Sequence, residues 1–144
     1  MTVDDSQITT LTLSVDDANS DNAFDPLIDQ TVSVTTTDDD VASFSITETG
    51  GGTSVSEAGT TDTFTVVLDR QPLTNVVITV TSSDLGEATV DKALLTFTPA
   101  NWNTAQTVTV TGVDDVTVDG AQATTIKLSV DDANSDNALS LIHI

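Results

Sequence analysis

The sequence predicts an all-β protein built as an antiparallel β-sandwich, and three observations carry that reading. The β-branched residues, 28 Thr, 18 Val and 7 Ile, occupy over a third of the 144 positions, and such side chains pack better on a pleated sheet than in a helix. Short segments alternate apolar and polar residues with a period of two. Clusters of Gly, Pro, Asn and Asp separate those segments at spacings of about 8 to 12 residues, as in a two-sheet sandwich.

Taken in order from residue 41, the first strand lies at 42–47 with Phe44 and Ile46 pointing one way. Gly50, Gly51 and Gly52 then break the pattern before a short second segment around Val55. No Lys and no helix follow the three glycines, so they read as a kink between sheets and not as a phosphate-binding loop. Residues 61–69 place Phe64, Val66 and Leu68 inward, and after a turn at Arg70, Gln71, Pro72 and Leu73, residues 74–81 do the same with Val76, Ile78 and Val80. A short strand at 87–91 is followed by one at 93–98 that buries Leu95 and Phe97. Pro99, Ala100, Asn101, Trp102 and Asn103 make a corner, with Trp102 plugging one end of the core, and 105–111 bury Val108 and Val110. The strand at 122–130 buries Ile126, Leu128 and Val130. Its natural partner is seen only earlier in the chain, at 30–37, with Val32 and Val34 inward. Strands of this number and spacing make the sandwich immunoglobulin-like.

The chain contains part of a repeat. Residues 1–23 align with 116–138 at a constant offset of 115, with 17 of 23 positions identical and residues 13–23 recurring unbroken as 128–138. A tandem array with a 115-residue period is the reading this supports. Residues 1–40 are then the closing hairpin of a preceding repeat, and 41–138 are one repeat without its last strand. Residues 139–144 depart from the first copy and read as a non-native tail, in which the single His, His143, falls.

Reach keeps 30–37 from filling the empty strand position beside 122–130 of the same chain. The two ends of a sandwich of eight-residue strands are about 25–30 Å apart. The link from Thr37 to Ala42 extends to about 18 Å at most. Residues 8–37 are therefore expected as a separate hairpin.

Charge and composition exclude several functions. Three basic residues against 23 acidic ones, a net charge of −20, leave nothing to neutralise phosphates, so nucleic acid is not a partner. Without Cys there is neither a disulfide framework nor a Cys-ligated zinc site. No apolar run approaches the roughly 20 residues that cross a bilayer, so no direct membrane insertion is expected. Nucleophilic triads need a His or Cys that residues 1–138 lack. A carboxylate pair acting on glycosides needs a shielded, sugar-stacking pocket that this sequence does not suggest. The chain is expected not to be an enzyme.

Three stretches resemble the Calx-beta domains, especially the copies strung along large bacterial surface adhesins. They are Val55, Ser56, Glu57, Ala58, Gly59; then Leu95, Thr96, Phe97, Thr98, Pro99; then Val108 through Gly112 followed by Val113, Asp114 and Asp115. Asp38, Asp39 and Asp40, at the end of the preceding copy, complete the pattern. The resemblance covers essentially the whole period and implies calcium at one end of the sandwich. Its implied ligands are Glu57, Asp114, Asp115, an acidic residue at Asp119 and an Asp triplet like Asp38, Asp39 and Asp40. The sequence departs from the family in the fourth-strand region, where the loop is shortened to Ser83, Asp84, Leu85, Gly86 and Glu87.

Physical chemistry points the same way, because calcium takes roughly six to eight hard oxygen ligands and carboxylate-rich loops supply them. The competing reading is a solvated acidic rim that keeps a very anionic protein soluble. A second cluster, Asp132 to Asp136 with its earlier copy Asp17 to Asp21, has D-x-N-x-D spacing but lacks the glycine and the closing Glu of a calcium loop. It reads as a hairpin loop capped by Asx turns.

The function expected is a calcium-binding structural spacer, one repeat of an extracellular or cell-surface adhesin whose partners are the neighbouring repeats. The alternative is a glycan- or protein-binding adhesive module. Outward positions rich in Thr, Ser and Asp, with few aromatic or Arg anchors, favour the spacer.

Overall fold

The computed structural model describes residues 6–118 and 120–135. The chain divides into two compact units, Asp4–Asp39 and a larger one from Asp40 onward.

The smaller unit is a two-stranded antiparallel ribbon. Strand β1 (Gln7–Leu13) runs against β2 (Gln30–Thr36), with Gln7 opposite Thr36, Leu11 opposite Val32 and Leu13 opposite Gln30. Strand alternation puts Leu11, Leu13, Val32 and Val34 on one face. They remain 52%, 56%, 50% and 40% exposed. The inward placement expected of Val32 and Val34 is therefore not met, because a two-stranded ribbon has no second layer of its own to cover them.

Among the described residues the larger unit holds seven strands, β3 (Phe44–Glu48), β4 (Thr61–Leu68), β5 (Val76–Ser82), β6 (Ala88–Val90), β7 (Leu94–Phe97), β8 (Gln106–Gly112) and β9 (Ile126–Val130). They form a four-stranded sheet in the order β3-β4-β8-β6 and a three-stranded sheet in the order β7-β5-β9. Every pairing is antiparallel.

One core joins both sheets. The first sheet supplies Phe64, Val66, Leu68, Ala88, Val108 and Val110, and the second supplies Val76, Ile78, Val80, Leu95 and Phe97. The alternation is visible residue by residue in β4, where Phe64, Val66 and Leu68 are buried and their neighbours are not. Burial of each such side chain contributes roughly 1.5–3 kcal/mol before chain entropy is counted. Phe44, Trp102, Ile126, Leu128 and Val130 pack against this core only partly buried.

Two devices shape the layers. A 3₁₀ turn at Thr49–Gly51 ends β3, with Gly50 and Gly51 at φ 72° and 86°, a region that glycine enters without a Cβ clash. No strand forms afterwards around Val55. The corner between β7 and β8 moves the chain from one sheet to the other, and the Trp102 carbonyl there accepts the Leu68 N–H at 3.2 Å.

Ile46 is 47% exposed on an edge strand of its sheet. One strand boundary differs from expectation. The last strand begins at Ile126 and not at 122: β5 ends at Ser82 directly opposite Ile126, and beyond it Thr125 is joined to Ser83, whose N–H donates to the Thr125 carbonyl at 2.9 Å, without the ladder continuing as a strand.

Candidate metal centre

Three loops meet at the end of the larger unit where β4 starts and β8 ends. Gly112 decides how closely. A Cβ at Gly112 would stand 2.1 Å from the Ser56 carbonyl oxygen and 2.7 Å from its carbon, so only glycine allows the 56–60 turn to lie against β8. The turn closes on itself, with the Gly59 N–H donating to the Ser56 carbonyl at 3.0 Å and the Ser56 N–H donating to the Thr60 Oγ1 at 2.8 Å. Gly59 takes φ 75° to complete it.

Backbone hydrogen bonds then tie all three loops. The Gly112 N–H donates to the Thr60 carbonyl at 3.0 Å, and the Val113 N–H donates to the Glu87 carbonyl at 2.9 Å. Glu57 rides on the first loop, Glu87 on the second, and Asp114 and Asp115 follow directly on the third. Asp62 braces the first loop by accepting from the Ser54 N–H at 2.8 Å and the Thr63 N–H at 2.7 Å. Those two donors, Ser54 first, hold its carboxyl below the ordinary Asp range.

The carboxylates themselves are not drawn into a cluster. Glu57, Asp114 and Asp115 are exposed, and one Asp115 oxygen accepts the Thr117 N–H at 2.7 Å in an Asx turn. Among the described residues no three His, Cys, Asp or Glu side chains stand close enough to hold a metal. Like-charge repulsion opposes their approach in a chain of net charge −20. The donor chemistry, oxygen only and anionic, fits a hard divalent cation. Asp119, the remaining residue expected here, lies outside the described residues, as does Asp136 of the second acidic loop.

The Asp triplet is divided between the two units. Asp38 and Asp39 close the smaller unit. Asp40 is at the opposite end of the sandwich from Glu57, where Arg70 Nε, just beyond the end of β4, pairs with its Oδ1 at 3.3 Å.

Beside the three loops a cleft of about 930 Å³ opens between the edge strands β3 and β9. Ile46, Phe64, Ile126 and Leu128 line its floor and walls, and Glu48, Glu57 and Glu87, all the glutamates of the chain, line it as well. Glu48 and Glu87 were not among the expected site residues. The signal for Glu87 was its place in a loop at the same end as Glu57.

No protein-family model, no curated protein and no solved structure matches the chain.

Proposed function

We propose that the chain is a calcium-binding structural repeat, an immunoglobulin-like sandwich of Calx-beta type that serves as a spacer in an extracellular adhesin. The observation that carries this reading is the tie at Gly112, which holds the acidic loops of Glu57, Glu87 and the Asp114, Asp115 pair to one another through backbone hydrogen bonds. Calcium, when bound, supplies the positive charge that draws these carboxylates together. Glu57, Asp114 and Asp115, with Glu87 beside them, are the residues that would hold it. The 115-residue sequence repeat supports a tandem array in which each unit's neighbours are its partners. In such an array a cation that stiffens one end of each sandwich keeps the whole extended.

Calcium titrated calorimetrically into the chain tests the proposal. Saturable binding is expected in the range of extracellular modules, with Kd about 10⁻⁴ to 10⁻³ M, and its loss in the Asp114→Asn, Asp115→Asn variant. Equal heats from both proteins would leave the acids as a solvating rim.

A further inference from the structure

The chain carries the same strand sequence twice, in two different pairing states. Residues 7–15 and 122–130 share Gln, both Thr and the closing Leu, Ser, Val. In the first copy Gln7, Thr9 and Thr10 belong to β1 and pair with β2, residue by residue from Gln7 opposite Thr36 to Leu13 opposite Gln30. In the second copy, Gln122, Thr124 and Thr125 precede β9 and form no strand. Among the described residues β9 pairs with β5 on one side and with no strand on the other. The difference is the neighbouring strand, since the sequence is nearly the same: Thr125 exchanges hydrogen bonds with Ser83 just beyond β5, while no strand described runs along the other edge.

From this we infer that β9 is the receiving edge for β2 of a second copy of this chain, which completes the three-stranded sheet and closes the cleft beside it. The β1–β2 register, transferred by the repeat offset of 115, sets Val32 opposite Ile126 and Val34 opposite Thr124. Those positions share a face with Ile126 and Leu128, which line the cleft. Val32 and Val34, half-exposed in the ribbon, approach the apolar part of the cleft, where Ile46, Phe64, Ile126 and Leu128 line it beside the glutamates. The exchange trades one backbone ladder for an equivalent one and adds that burial, as strand swaps between identical chains do.

Two chains of net charge −20 repel overall, a repulsion that salt screens, but one local charge pair fits the same register. Lys127, one of three basic residues, stands where β1 has Thr12. In the transferred register it faces Thr31 and lies diagonal to Asp29, within reach of a long side chain.

Within one chain the full pairing is out of reach. It would carry Thr36 to the Gly112 end of the sandwich while Arg70 holds Asp40 at the other. A strand of eight residues, the length of β4, spans about 23 Å before the loops at its ends are counted. The steps from Thr36 to Asp40 extend to about 14 Å at most.

Introduced thiols test the pairing cleanly, because the chain has no Cys of its own. Ser33 and Thr125 face each other on the outward side in the transferred register. Oxidising a mixture of the Ser33→Cys and Thr125→Cys chains should give a disulfide-linked heterodimer. A mixture of Ser33→Cys with Ser129→Cys, out of register, should give none. Sedimentation of the unsubstituted chain should show concentration-dependent association that higher salt strengthens. Val32→Asp, at a position exposed in its own ribbon, should return the chain to monomer. A monomer at every concentration, equal cross-linking in both mixtures, or association undiminished by Val32→Asp overturns the inference. The inference stands apart from the calcium reading, and chelator should leave the cross-link in place.

Discussion

Gly112 packs beneath Ser56 so closely that a methyl group on Gly112 would lie 2.1 Å from the Ser56 carbonyl oxygen. This contact brings residues far apart in sequence together and sets where Glu57 stands relative to Asp114 and Asp115. The neighbour is backbone, held by its own turn bonds, so it has no side-chain rotamer through which to yield.

Gly112→Ala is therefore expected to cost at least the roughly 1–3 kcal/mol typical of overpacking. Urea unfolding of the two proteins measures it. Gly59→Ala, where φ is 75° and nothing stands within 4 Å, should cost only about 1 kcal/mol from backbone conformation. Equal costs at the two glycines would contradict the close-approach account.

The core predicts a graded series. Phe97 is fully buried, and Phe97→Ala should cost about 3–5 kcal/mol. Ile46 is 47% exposed where it lines the cleft on an edge strand, and Ile46→Ala should cost clearly less. Thermal unfolding orders the two variants.

Acid stability should depend on Asp62. Its carboxyl is held below the ordinary range by the Ser54 and Thr63 N–H groups. A depressed folded-state value contributes stability that is complete above the unfolded value of about 3.9 and is lost as pH falls through the folded value. Asp62→Asn should therefore be less stable than the natural chain at pH 6, and the gap should close as pH is lowered below about 4. A gap that persists unchanged into acid would contradict the ionic origin of the loop brace.

Calcium should raise stability by mass action. At a concentration ten times Kd the gain is about 1.4 kcal/mol. Chelator should abolish it, and thermal unfolding at several calcium concentrations reads it.

The interior was legible in the sequence because strand alternation is local. Phe64, Val66 and Leu68, or Val76, Ile78 and Val80, declare their face by position alone, and the structure buries them. Val32 and Val34 have the same pattern yet stay half-exposed, since a pattern shows which face is apolar but not whether a second layer is present to cover it. The start of β9 was equally hidden, because it depends on where β5 ends. At the candidate metal centre the sequence sets Glu57, Asp114 and Asp115 in loops at one end, and the structure ties those loops together without gathering the carboxylates. The tie at Gly112 was not legible, as it is a contact across loops distant in the chain.

Amide resonances followed through a calcium titration test the central claim most directly. The account predicts saturable shifts concentrated at residues 56–60, at Glu87 and at 112–115, with Asp40 and Arg70 at the opposite end unmoved. Shifts that never saturate, or that spread evenly over the acidic residues of the chain, would contradict it.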